Sequence, residues 1–126
     1  MKINKVVRFV PSIIWMSVIF YFSSRSTIGI GTNETDRFLI LKSFHLIEYA
    51  FLAILLYFAI QKKKLVVLIA YLYAISDEVH QSFVPGRTSR FRDTLIDLIG
   101  ILIGILIFNS FYFFINNKNH RNHKQS

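Results

Sequence analysis

The sequence predicts an all-α protein, an integral bundle of four transmembrane helices with its N- and C-termini in the cytoplasm. Three observations predict it. Hydrophobic residues make up 53% of the chain and charged residues only 17%, against roughly 25% charged in an average soluble domain. Apolar runs recur four times, separated by basic or Pro-Gly segments. A helix needs about 20 residues to cross a hydrocarbon core about 30 Å thick, so 126 residues hold four or five crossings with short connections and no additional soluble domain. Cysteine is absent, which excludes a disulfide framework, a thiolate nucleophile and cysteine-ligated zinc or iron–sulfur sites. The net charge of +8 comes with a mean hydropathy of +0.45. That combination favours the anionic membrane surface over nucleic acid, and no nucleic-acid motif appears.

The first crossing covers residues 9–23, behind a basic N-terminal segment (1–8) with Lys2, Lys5 and Arg8. A signal peptide has the same basic start, but Ser23-Ser24-Arg25-Ser26 offers no A-x-A-like cleavage site, so the helix is expected to be retained. Pro11 lies near its start, where a missing N–H is harmless. The next two crossings have uncharged cores, 49–60 and 65–76, of 12 residues each. Each would cover roughly 18 Å, little more than half the hydrocarbon. Both must therefore continue through their polar neighbours, giving helices over 44–60 and 65–83. Gln61-Lys62-Lys63-Lys64 is the hairpin between them, and Pro85-Gly86 ends the third helix and opens a loop. The fourth crossing covers 93–115, completing a membrane domain over 9–115, and 116–126 is a polar cytoplasmic tail. His120 and His123 in that tail read as solvated, and Gly29-Ile30-Gly31 as loop.

With the N-terminus inside, nine of the 15 basic residues (Lys2, Lys5, Arg8, Lys62, Lys63, Lys64, Lys118, Arg121 and Lys124) fall on the cytoplasmic side, as the positive-inside rule requires. All seven acids, Glu34, Asp36, Glu48, Asp77, Glu78, Asp93 and Asp97, fall in the outer half or outer loops.

Three helices carry ionisable groups at matching depth. His45, Glu48, Tyr49 and Leu52 follow the i, i+3, i+4, i+7 spacing of one helix face. Ala70, Tyr73, Ala74, Asp77 and Gln81 form a second stripe, flanked by His80 and Glu78. Asp93, Asp97, Gly100 and Gly104 lie within about 40° of one another on the fourth helix. Gly100 and Gly104 make a GxxxG pattern that admits a neighbouring helix and turns both aspartates inward. A charged group facing lipid costs about 2.5 to 3.5 kcal/mol even on the lenient scale. Intramembrane hydrogen bonds average only about 0.6 kcal/mol, so mutual attraction alone does not account for so many charges. A shared polar pocket does. Arg87, Ser89, Arg90 and Arg92 in the following loop, beside the start of the fourth helix, add donors suited to a phosphate at headgroup level. The competing assignment for these arginines is ion pairing with the nearby acids.

The blocks Lys42-Ser-Phe-His45-Leu-Ile-Glu48-Tyr49-Ala50, Ser76-Asp77-Glu78-Val-His80-Gln81-Ser-Phe83-Val84-Pro85-Gly86-Arg87 and Asp93-Thr-Leu-Ile-Asp97-Leu-Ile-Gly100 resemble the VanZ-like family of bacterial membrane proteins. The resemblance covers about residues 8–108. The chain departs from the family pattern at Leu41, where Asp is frequent, and at Asp97, where Asn is. The resemblance implies a cell-membrane protein associated with low-level resistance to the glycopeptide teicoplanin and grouped with proteins suggested to process lipid head groups or lipid-linked cell-wall precursors. It carries His45, Glu48, Asp77, Glu78, Gln81, Arg87, Asp93 and Asp97 over as site positions.

Together these give an expected catalytic set of His45, Glu48, Asp77, Glu78, Asp93 and Asp97, and a substrate-binding set of Tyr49, Gln81, Arg87, Ser89 and Arg90. His45 would serve as general acid or base. Asp77, Glu78 and Asp97 are the carboxylates that could ligate a divalent cation such as Mg or Mn. The expected partners are membrane lipids or lipid-linked precursors, met at the outer leaflet. Two alternatives stay open: a non-catalytic lipid- or glycopeptide-binding protein, and an ion or proton pathway, which the apolar inner halves of the helices disfavour.

Overall fold

The computed structural model describes residues 4–25, 31–86 and 90–125. Five helices form, α1 (Lys5–Arg8), α2 (Val10–Ser23), α3 (Glu34–Ile60), α4 (Lys63–Gln81) and α5 (Asp93–Gln125), and no strand occurs among the described residues. The short α1 and α2 together make one 19-residue span, Lys5–Ser23. They are separated at Phe9 because Pro11, in the first turn of α2, has no N–H to continue the ladder. The first crossing therefore starts four residues earlier than the apolar run suggests.

Two further boundaries correct the sequence expectation. The second crossing, expected over 44–60, is a 27-residue helix starting at Glu34. Its N-terminus is fixed by Asn33, whose side chain accepts from the Asp36 N–H at 2.8 Å, with Glu34 and Asp36 in the first turn, where acids complement the helix dipole. The fourth crossing, expected to end at 115, continues to Gln125. At about 1.5 Å per residue α5 is some 50 Å long, so its last turns extend beyond a hydrocarbon core of about 30 Å. The α3–α4 hairpin is tighter than expected. Gln61 takes the left-handed conformation (φ 60°) that ends α3, its N–H bonded to the Tyr57 carbonyl at 2.9 Å, and α4 starts two residues later.

Three spans, Lys5–Ser23, Glu34–Ile60 and Asp93–Gln125, are long and apolar enough to cross a membrane. The fourth, α4, is 19 residues long, about 28 Å, with Asp77, Glu78, His80 and Gln81 in its last two turns. It packs against α2, α3 and α5. Only 17, 28 and 22% of the most apolar windows of the three long spans is buried inside the bundle. The remainder, including Ile13, Phe44, Ile47, Leu72, Leu95, Ile99 and Leu106, forms an apolar exterior far larger than a soluble monomer tolerates.

The most extensive interface joins α3 to α5, and the two glycines are its reason. A Cβ on Gly100 would lie 2.5 Å from the Leu46 carbonyl oxygen, and one on Gly104 would collide with the Ala50 carbonyl. The GxxxG pattern thus serves packing within the chain. Along the bundle axis the interior divides in two. Leu52, Ala53, Leu56, Val66, Ala70, Ile101 and Ile105 fill one half, whereas Ser23, His45, Asp77, Glu78, Gln81, Asp93, Thr94 and Asp97 are buried in the other. Helix direction places Lys5, Arg8, Lys62, Lys63 and Lys64 at the end remote from the polar half: His45 and Gln61 are separated by 16 residues of helix, about 24 Å.

Candidate functional site

The polar half is built from one stripe on each of three helices. On α3, Glu34, Arg37, Phe38, Leu41, Lys42 and His45 recur every three or four residues and so share a face. On α4 the stripe is Asp77, Glu78 and Gln81, and on α5 it is Asp93 and Asp97, all buried. These elements surround a cavity of about 570 Å³, lined by Glu34, Thr35, Arg37, Phe38, Leu41, Lys42, His45, Gln81, Gly86, Arg90, Arg92, Asp93 and Ile96. Four cationic side chains line it against two carboxylates, so the cavity carries a positive excess suited to an anion. Phe38, Leu41 and Ile96 give it an apolar wall as well.

Beneath the cavity lies a chain of contacts through buried groups. Lys42 Nζ is 3.1 Å from Asp93 Oδ2. His45 Nδ1 faces Asp97 Oδ1 at 3.4 Å, an ion-pair distance rather than a formed hydrogen bond, and neither atom has a hydrogen-bond partner. On the other side of the ring, His45 Nε2 is 3.1 Å from Gln81 Nε2. The same amide nitrogen lies within donating distance of Asp77 Oδ2 at 3.0 Å and of Ser23 Oγ at 3.1 Å, three neighbours for its two hydrogens. Tyr49 donates its hydroxyl to Asp77 Oδ2 at 3.1 Å. A single connected network therefore runs from Ser23 on α2 through α4 and α3 to Asp97 on α5. Low dielectric strengthens each of its contacts and makes any lost partner expensive.

Of the expected residues, His45, Gln81, Arg90 and Asp93 line the cavity. Asp77, Asp97 and Tyr49 are buried in the network with His45 and Gln81. Glu78 is also buried but accepts from the Arg90 backbone N–H at 3.1 Å, which anchors the loop to α4. Glu48 is half-buried, and its backbone carbonyl accepts from Trp15 Nε1 at 2.9 Å, clamping α2 to α3. Arg87 and Ser89 lie outside the described residues. His80 stacks on Phe20, with ring centroids 4.3 Å apart, and contacts Ser24 Oγ at 2.9 Å. It holds α2 against α4 and does not line the cavity. Among the described residues no three His, Asp or Glu side chains are arranged to hold a metal ion.

Arg92, one of the three loop arginines, lines the cavity beside Arg90, and Glu34, Thr35, Arg37 and Lys42 join them, although the sequence does not single out those four as site residues. The signal for Glu34, Arg37 and Lys42 is the stripe that leads to His45, hidden because residues 34–43 read as loop.

Fold and site together define a polytopic helical membrane protein with a cation-lined cavity over a buried His–carboxylate network at one end of the bundle. The VanZ/LLP1 family model matches residues 8–113, and the chain belongs to that family. Neither the curated proteins nor the solved structures give a match.

Proposed function

We propose that the protein binds the phosphate of a lipid head group, or of a lipid-linked cell-wall precursor, in this cavity at the outer leaflet and transfers or hydrolyses that head group. The observation that carries the proposal is the meeting of Arg37, Lys42, Arg90 and Arg92 around a cavity whose lining includes His45 and Gln81. Cations at the mouth would hold the phosphate and stabilise charge developing on its oxygens. The apolar wall suits a ligand that remains partly in the membrane.

His45 is the group placed for proton transfer. A water or alcohol oxygen would attack phosphorus while its proton passes to His45 Nε2. The resulting imidazolium would be stabilised by Asp97, 3.4 Å from Nδ1, and the proton would return to the oxygen leaving phosphorus. One P–O bond forms and one breaks. The proposed chemistry is carried by His45 and the cations. Such a change to the envelope is also the route by which the protein would alter sensitivity to teicoplanin.

The apolar half of the interior, from Leu52 to Leu56 and around Ile101 and Ile105, interrupts any polar route across the bundle and argues against an ion pathway. The experiment is turnover by purified protein of fluorescent phospholipids and polyprenyl phosphates in vesicles. Released or exchanged head groups, lost in His45→Ala, are the expected result. Undiminished turnover in His45→Ala removes the catalytic role. Retention of lipid without turnover identifies the non-catalytic alternative.

A further inference from the structure

We infer that Gln81 is a positioning residue that selects the tautomer of His45, with Ser23 as the stand-by partner that lets it release the ring. The inference deepens the proposed role of His45.

Hydrogen counting leads to it. Gln81 Nε2 lies 3.1 Å from His45 Nε2, 3.0 Å from Asp77 Oδ2 and 3.1 Å from Ser23 Oγ. A carboxamide nitrogen has two hydrogens and no lone pair to accept with. The orientation of the amide is dictated by Asp77. Its Oδ2 already accepts from the Tyr49 hydroxyl, and an amide oxygen 3.0 Å from it would set two acceptors against each other. With the NH2 group facing inward, His45 Nε2 must be the acceptor. The proton of the neutral ring then sits on Nδ1, on the side of Asp97. The basic lone pair is left on Nε2, the nitrogen that the Gln81 amide covers, and both residues line the cavity.

Three acceptors compete for two hydrogens. The amide can therefore give one hydrogen to Asp77 and move the other from His45 to Ser23 with its own hydrogen-bond count unchanged. Ser23 is 2% exposed, so water does not replace the amide there. A protic group arriving in the cavity can take over Nε2 while Gln81 turns to Ser23. The arrangement keeps the His45 lone pair on one nitrogen, covered when the cavity holds no ligand and available when it does.

The test is ¹⁵N NMR of imidazole-labelled protein in lipid nanodiscs, with His80, His120 and His123 replaced by Gln so that His45 is the only histidine. The expected spectrum shows a protonated-type Nδ1 and an unprotonated-type Nε2. Gln81→Glu, which puts an acceptor opposite the ring, should move the proton to Nε2, and Gln81→Leu should leave a mixture of tautomers. Ser23→Ala should keep the wild-type ring signature but slow turnover of head groups in vesicles at unchanged KM, because the release partner is gone. A protonated Nε2 in the wild-type chain overturns the inference without recourse to any variant, and so does an unchanged spectrum in folded Gln81→Glu. The ring spectrum reads the tautomer whether or not head groups are turned over, so failure of the catalytic proposal is seen separately.

Discussion

Replacing Gly104 by alanine tests whether the α3–α5 seam sets the geometry of the site. The added Cβ would fall on the Ala50 carbonyl oxygen, with the Ala50 carbonyl carbon at 2.9 Å and its Cα at 3.0 Å. All three are backbone atoms of a hydrogen-bonded helix and have no rotamer to escape into. Ordinary contact begins near 3.4 Å, so the helices must separate by the order of 1 Å. Small-to-large changes in a packed interior cost about 1–3 kcal/mol, and a backbone neighbour argues for the upper part of that range. The displacement also reaches the site. Leu46, against which Gly100 packs, is adjacent to His45, and Asp97 lies one turn from Gly100. A gap already at 3.4 Å would open past the range of a useful ion pair. Reversible unfolding in mixed detergent micelles measures the first effect, and head-group turnover in vesicles the second. Gly104→Ala with wild-type stability and activity would refute the claim that the seam holds the site together.

Lys42 and Asp93 form a largely buried pair, with side chains 12 and 8% exposed. Lys42→Met should destabilise by about 3–5 kcal/mol through the uncompensated carboxylate, and adding Asp93→Asn should recover much of it in the same unfolding assay. Tyr49→Phe removes one of the two hydrogen bonds to Asp77 Oδ2 and should cost about 0.6–1.7 kcal/mol, from the average to the largest value measured for hydrogen bonds inside membranes. The chain has no cysteine, so single introduced thiols report topology. Arg92→Cys should react with a membrane-impermeant maleimide on intact cells, and Lys63→Cys only after permeabilisation.

The helices are legible in the sequence because apolar runs and Pro-Gly stops are strong local signals in a membrane, whereas the pairing of α3 with α5 is not, since a GxxxG pattern names no partner. The inward stripes of His45, Asp77, Asp97 and Gly100 follow from helical period alone. The N-terminal third of α3 is concealed because residues 34–43 mix charge with apolar residues. Asn33-Glu34-Thr35 has the Asn-x-Thr pattern of a glycosylation signal, yet Asn33 acts as a helix cap. The C-terminal turns of α5 are hidden for a related reason: a tail rich in Asn, Lys and His has the composition of loop, although it continues a helix already nucleated. The partners within the network are invisible to periodicity. Spacing puts Gln81 and Asp77 on one face, but that a single amide nitrogen serves His45, Asp77 and Ser23 depends on how three helices meet. The short reach of His80 to Phe20 and Ser24 likewise requires the packing of α2 on α4.

The central claim is that the cation-lined cavity holds a lipid phosphate, and lipid retention measures it most directly. Protein purified from vesicles containing phosphatidylglycerol and a polyprenyl phosphate would be analysed by mass spectrometry of the bound lipid, for the wild-type chain and for Arg90→Ala and Arg92→Ala together. The variant alters two cavity cations, so their loss should reduce retained phosphate-bearing lipid at least tenfold without changing the amount of folded protein. Equal retention by the folded variant, or a wild-type chain that carries no phosphate-bearing lipid, would contradict it.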